Sequence, residues 1–168
     1  TDLSRNMIES ATAKVRGANL AAEFQVCPFE EIGNRFAPGS FDLVFSNFGG
    51  MNCVDEQALK LLGETVSLLL RPGGRFIAVV MSDDCTMEQL YFRKKKQVNE
   101  INRRKNAQGV SVTIEGETFT TYYYSPEKLA NLLGNVFHVK AQKAVGWTIP
   151  PSYTDNYFRS KPILLKAL

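Results

Sequence analysis

A chain of 168 residues is about one domain's worth of sequence, and 44% hydrophobic with 11% aromatic content is too much for a disordered chain. No apolar run approaches the roughly 20 residues that span a bilayer, and the start Thr1-Asp2-Leu3-Ser4 carries no signal-peptide pattern. The three cysteines Cys27, Cys53 and Cys85 are far apart and lack C-x-x-C spacing, which argues for reduced, buried thiols in a cytoplasmic compartment and against a disulfide framework or a metal site. Net charge is +3, unevenly spread. Between Tyr91 and Asn106 seven basic residues (Arg93, Lys94, Lys95, Lys96, Arg103, Arg104, Lys105) face one acid, Glu100, a local +6 that leaves −3 elsewhere.

In chain order, Ser4 is placed to cap a helix whose apolar face is Met7, Ile8, Ala11 and Val15, with Gly17 ending it. Glu23 to Val26 reads as a short strand. Pro38-Gly39-Ser40 turns the chain into Phe41–Ser46, a mostly apolar strand of the kind covered on both faces in a parallel sheet. A helix is predicted from about Asp55 to Leu70, with Leu59, Leu62, Val66 and Leu69 or Leu70 inward. Arg71-Pro72-Gly73-Gly74 should stop it in a tight turn, and Phe76 to Met81 reads as a second buried strand. Strands alternating with helices in this order predict a right-handed parallel βαβ sheet.

After Met81 the character changes. Met87, Leu90, Tyr91, Val98 and Ile101 form a helical stripe, interrupted at Lys94, with the basic residues around it. Val110 to Glu115 and Glu117 to Tyr124 alternate about Gly116 like a hairpin. Ser125-Pro126-Glu127 opens a helix that reaches Leu133 and closes at Gly134. Phe137 to Val145 reads as one more strand, Trp147 and Pro150-Pro151 as a packing corner, and the remainder to Leu168 as irregular, then weakly helical. There is no internal repeat.

Three stretches, taken together and in this order, carry a resemblance. Asp2-Leu3-Ser4-Arg5-Asn6-Met7-Ile8 resembles the D-x-S-x-x-M stretch that ends the second strand of class I S-adenosylmethionine-dependent methyltransferases. Phe41 to Asn47 is similar to that family's fourth strand, and Leu69-Leu70-Arg71-Pro72-Gly73-Gly74-Arg75-Phe76 to its L-(K/R)-P-G-G turn into strand five. The resemblance covers Thr1 to about Met81 well and the rest loosely. It implies an α/β fold: a Rossmann-like class I methyltransferase sheet, incomplete at both ends, with a helix-plus-hairpin insertion after strand five. Residues 1–168 would form one domain, with 83–124 inserted as a cap or lid.

The implied cofactor is S-adenosylmethionine, bound outside the carboxyl ends of the strands. Asp2 would accept the ribose hydroxyls, Leu3 and Met7 would lie near the adenine, and Cys27-Pro28-Phe29 would edge the ring. Family members often carry an acid where Cys27 stands; a thiol is a poorer acceptor and Pro28 offers no N–H. Asn47-Phe48-Gly49-Gly50 would lie against the methionine end, and the N-P-P-(Y/F) pattern of exocyclic-amine methylation is absent there. No catalytic residue is singled out, and methyl transfer from a sulfonium needs alignment more than a metal. The family's glycine-rich loop would precede Thr1, and its antiparallel last strand has no clear candidate before Leu168. A partial gene product that binds the cofactor poorly is therefore expected.

Several residues admit two readings. Asp2 as ligand is preferred to Asp2 as an ordinary acid before a helix. The basic run is read first as a solvated helix face, and second as a grip for phosphate or RNA. Tyr122-Tyr123-Tyr124 is read first as strand packing, and second as a pocket wall or phenol base. His138, the single histidine, is read as structural. Asp83 and Asp84 stand either at the substrate rim or as helix caps. The function implied is methyl transfer to a small-molecule partner, with nucleic acid not favoured and no membrane partner. The alternatives are an RNA- or protein-modifying methyltransferase and a non-catalytic Rossmann-like binding module.

Overall fold

The computed structural model describes residues 1–145 except Asn19, Phe48 and Glu115. The chain divides into two compact units: the first is Thr1–Phe45 with Lys60–Ile77, the second Ser46–Leu59 with the chain from Ala78 onward.

The first unit opens with helix α1, Arg5–Ala18. The Ser4 hydroxyl caps it by accepting from the Met7 N–H at 3.3 Å, and the Asp2 carboxylate accepts from the Ser4 N–H at 2.8 Å. The helix runs one residue past Gly17. Its packed face is Ile8, Ala11, Thr12 and Val15, all half-buried, while Met7 is 61% exposed and lies off the expected stripe. The strand expected over Glu23–Val26 shrinks to one parallel bridge between Asp2 and Val26. The reason is length: the segment beside it turns into α1 at Ser4, so only Asp2 is left to pair.

A 3-10 turn at Phe29–Glu31 and the short helix α2, Ile32–Arg35, lead to strand β1, Phe41–Ser46. Phe36 and Phe41 meet edge to face at 5.2 Å. Helix α3, Glu56–Leu69, is capped by the Asp55 carboxylate on the Ala58 N–H at 2.8 Å. Leu59, Leu62, Val66 and Leu69 are all buried, as their spacing predicts.

Strand β2 is Leu70–Ala78, pairs with β1, and departs from expectation at both ends. The Arg71–Gly74 segment is not a free turn: the strand begins at Leu70 and carries Gly73 at φ +81° within it. Arg71 reaches the carboxylate of Asp42 there. At the far end the Val79 N–H donates to Ser46 at 2.9 Å. The two contacts advance together along both strands, so β1 and β2 run parallel. The strand stops at Ala78 rather than Met81 because the backbone N–H and C=O of Met81 are taken by the side chain of Asn52. Cover on both faces is not realised either: Leu43, Phe45 and Ile77 are 49%, 56% and 46% exposed.

In the second unit helix α4, Thr86–Lys94, buries Glu88 and Phe92, and not the expected stripe; Leu90 is 52% and Val98 72% exposed. The stripe fails because a carboxylate, partnered by Arg103 and Arg104, occupies the inner face. The helix ends in a Schellman pair, Lys96 N–H to Arg93 and Gln97 N–H to Phe92, which puts the non-glycine Lys96 at φ +58°. Two 3-10 turns follow, Val98–Glu100 and Arg103–Lys105.

Strands β3, Val110–Ile114, and β4, Glu117–Thr121, form the expected antiparallel hairpin, with Val110 opposite Thr121 and Ile114 opposite Glu117. β4 stops before Tyr122, so the three tyrosines lie outside the strand. Helix α5, Pro126–Leu133, is capped by Ser125 on the Lys128 N–H at 3.1 Å and followed by Gly134. No strand forms over residues 137–145: Val139 and Val145 stand 64% and 79% exposed, and His138 is exposed with them. Trp147, Pro150-Pro151 and the tail to Leu168 lie outside the described residues.

A left-handed conformation costs a side-chain-bearing residue about 1–2 kcal/mol relative to glycine. Lys96→Gly is therefore expected to raise the free energy of unfolding in urea by about 1 kcal/mol; unchanged or lower stability would contradict the Schellman assignment.

Candidate functional site

The first unit gathers six of the residues singled out by the sequence around the Asp2–Val26 bridge. The Cys27 N–H donates to the Asp2 carbonyl at 3.0 Å, which sets Cys27-Pro28-Phe29 beside Asp2-Leu3. Asp2 is exposed, with Oδ1 held by the Ser4 N–H at the start of α1. That bond fixes the carboxylate and leaves Oδ2 to accept from a ligand. Leu3 and Met7, 70% and 61% exposed, are apolar side chains standing in water. An acceptor oxygen flanked by exposed apolar side chains is chemistry compatible with the hydroxyls and base of a nucleoside, so these residues fit the cofactor.

Cys27 does not fit in the same way. It is 3% exposed, and its thiol is turned onto the carbonyl of Pro28 at 3.4 Å. As a buried cysteine it packs the base of the loop and offers no polar group to adenine. Phe29 and Pro28 are half-buried. Of the other cysteines, Cys53 is exposed and Cys85 intermediate, so the expectation of three buried thiols holds for one.

In the second unit the loop after β1 carries Asn47, exposed, and Gly49, buried; Phe48 lies outside the described residues. Gly49 has φ +74°, and a Cβ there would stand 3.1 Å from the terminal methyl of Met81 and 3.5 Å from Asn52 Oδ1. The glycine is thus required by packing inside the unit. Asn47 accepts from the Gly50 N–H at 3.5 Å.

Asn52, which sequence reading passed over, organises this loop. It is 0% exposed. Its Nδ2 donates to the carbonyls of Met81 (3.0 Å) and Tyr122 (2.6 Å), and Oδ1 accepts from the Met81 N–H at 2.8 Å. Its own carbonyl accepts from the Tyr122 N–H at 2.7 Å. Only an amide side chain both donates twice and accepts at this reach. An Asn in an apolar loop is an ordinary residue in sequence; its partners lie 29 and 70 positions away, and nothing local signals them.

Tyr124 is 1% exposed and its hydroxyl donates to the Val54 carbonyl. Burial, then the nearby charges of Glu56 and Asp55 and the phenol of Tyr122, raise its pKa above the ordinary value. A phenol committed to a carbonyl and held protonated is no general base, so that reading of the tyrosine run falls for Tyr124. Asp83 and Asp84 do not cap α4, whose start has no side-chain cap; Asp84 instead accepts from the Gln89 amide at 2.8 Å.

The basic run is only partly a solvated face. Arg103 and Arg104 turn inward onto Glu88, at 3.1 and 2.7 Å, and Glu88 is 2% exposed. Burial works against the Arg104 charge, but the hydrogen bond and the charge of Glu88 hold its guanidinium above the ordinary value. Among the described residues no group of three His, Cys, Asp or Glu could hold a metal ion, and no helix is long and apolar enough to cross a membrane.

The comparisons with known proteins meet this geometry at the front of the chain. Residues 1–74 match the methyltransferase-domain family. Among solved structures the chain is similar to the PH0226 protein from Pyrococcus horikoshii OT3, with TM-score 0.63 and 18% identity over 86% of this chain. It is also similar to a SAM-dependent methyltransferase from Methanosarcina mazei, with TM-score 0.62 and 21% identity over 80% of this chain. The fold is that of the class I S-adenosylmethionine-dependent methyltransferases. The chain spans 64% and 66% of the lengths of those two structures, just under two thirds. No curated protein matches it.

Removing the Asn52 amide orphans a buried N–H and two carbonyls, each worth about 1–3 kcal/mol. Asn52→Ala is expected to lower the unfolding free energy in urea by about 3 kcal/mol or more, and Asn52→Asp by a comparable amount because a carboxylate cannot donate to Met81 and Tyr122. A loss under about 1 kcal/mol would contradict the clamp.

Tyr124 carries a pH prediction. Above its ordinary value of 10.0 unfolded chains lose the phenol proton while folded chains keep it, so the stability it supplies is full below pH 10 and falls as pH rises. The slope of unfolding free energy between pH 10 and 11 should be steeper in the wild type than in Tyr124→Phe, by up to about 1.4 kcal/mol per unit. Equal slopes would show that the phenol is not buried as described.

Proposed function

We propose that the protein transfers a methyl group from S-adenosylmethionine to a small-molecule acceptor, working in the cytoplasm. The observation that carries the reading is the Asp2 carboxylate. It is held at the start of α1 by the Ser4 N–H at 2.8 Å, keeps one oxygen for a ligand, and is flanked by exposed Leu3 and Met7. The bound cofactor supplies the activated methyl; the chain's own residues bind, align and exclude water.

In this reading Asp2 takes the ribose hydroxyls, Leu3 and Met7 cover the adenine, and Phe29 edges it. Asn47 and the Gly49–Gly50 backbone stand at the methionine end, with Asn52 holding that loop in place through its bonds to Met81 and Tyr122. Residues 83–124, with α4 and the β3–β4 hairpin, serve as the cap over the acceptor. The inward commitment of Arg103 and Arg104 to Glu88 supports a small-molecule acceptor over RNA, because it takes two of the seven basic residues out of a phosphate-binding face.

The test is a titration of the ¹⁵N-labelled chain with S-adenosylhomocysteine. Amide shifts are expected at Asp2, Leu3, Cys27 and Gly49. Asp2→Asn should weaken binding by about tenfold or more, the cost of a charge-assisted hydrogen bond. No shifts at these positions, or equal affinity in Asp2→Asn, would overturn the reading.

A further inference from the structure

Asp2 fits the ribose of a nucleoside, and the loop beside it does not fit the amino edge of adenine. Building on the methyl-transfer reading, we infer that the site holds the ribose and the purine ring without recognising the group at purine position 6. Cys27 and Pro28 set this permissiveness. A nucleoside with a 6-oxo purine in place of adenine binds as well as the adenine form.

Adenine presents an amine, which only an acceptor recognises, beside the ring nitrogen N1, which only a donor recognises. A 6-oxo purine reverses both, with a carbonyl in place of the amine and a hydrogen on N1. Telling them apart takes an accessible acceptor for the amine, and the loop has spent its groups elsewhere. The Cys27 N–H is committed to the Asp2 carbonyl at 3.0 Å, and the thiol is turned onto the Pro28 carbonyl at 3.4 Å. At 3% exposure Cys27 offers a ligand almost no surface, its own carbonyl included.

Pro28 is half-buried but has no N–H, and its carbonyl already accepts from the Cys27 thiol and from the Glu31 N–H at 3.1 Å. The Phe29 carbonyl accepts from the Ile32 N–H, closing the 3-10 turn. The Phe29 N–H remains. A lone donor bonds adenine at N1 or a 6-oxo purine at its carbonyl, so it does not choose between them.

The surroundings add no selection. Leu3 and Met7, 70% and 61% exposed, give apolar contact that both purines satisfy. Glu31 is engaged with Arg35 at 3.1 Å. Glu30 and Asn6 are exposed, so a bond from either to a base only replaces a bond to water. A site that builds a buried hydrogen bond to a ligand group rejects an analogue lacking it by orders of magnitude, whereas an apolar surface rejects it weakly. At the base, this site is of the second kind.

The test is calorimetry with ¹⁵N shift mapping on the 168-residue chain. The probes are S-adenosylhomocysteine, S-inosylhomocysteine and the analogue with hydrogen at position 6. All three are expected to bind within about threefold of one another and to shift the amides of Asp2, Leu3 and Cys27. Asp2→Asn should weaken all three alike, by about tenfold, because they share the ribose. A wider spread among the three would overturn the inference, whichever residue supplies the discrimination. An Asp2→Asn that weakens S-adenosylhomocysteine and spares the analogues would also overturn it, since those would bind elsewhere. Both results leave the methyl-transfer reading standing. That reading fails, and the inference with it, if none of the three probes shifts those amides.

Discussion

The second unit depends on one buried amide. Asn52 stands where β2 would otherwise continue, and it replaces a missing strand neighbour by bonding the N–H and C=O of Met81 with its own side chain. The same group takes the Tyr122 carbonyl, while its backbone takes the Tyr122 N–H. Three segments distant in sequence are thereby fixed by four hydrogen bonds at a residue with no exposure. Polar groups buried this deeply are tolerable only when every one is satisfied, and a satisfied network specifies one arrangement sharply. Gly49, at positive φ, accepts from the Asn52 N–H, and Tyr122, the first residue after β4, bonds Asn52 in both directions.

A second constraint of the same kind lies in α4. Glu88 on the inner face is affordable only because Arg103 and Arg104 come back to it, and that return shapes the two 3-10 turns after Lys96. A run of seven basic residues thus does two jobs: two neutralise a buried acid, and Arg93, Lys94, Lys95, Lys96 and Lys105 remain on the surface. Charge counted by segment conceals this, because Glu88 lies before the run and becomes its partner only through the fold.

What the sequence made legible is what short-range rules govern. The face of α3 at Leu59, Leu62 and Val66, the Ser125 cap and Pro126 start of α5, and the hairpin about Gly116 follow from spacing, capping and turn chemistry. The resemblance to a family singled out Asp2 and Cys27, and the backbone bond between them makes their two segments neighbours. The errors have a common origin in partners far along the chain. β2 stops short because of Asn52, the α4 stripe is displaced by Glu88 and its arginines, and among the described residues the segment 23–26 pairs through one bridge and 137–145 through none. Period-2 alternation states a strand's preference and says nothing about the neighbour it needs.

The central claim is that the segment beginning at Asp2 and the loop at Cys27 form the nucleoside end of a methyltransferase site. Ultraviolet cross-linking of methyl-labelled S-adenosylmethionine to the chain, followed by peptide mapping, tests it most directly. Label on the peptides holding Leu3 to Met7 and Cys27 to Phe29, suppressed by excess S-adenosylhomocysteine, is the predicted result. Label confined to the β3–β4 hairpin, or no suppressible label at all, would contradict it.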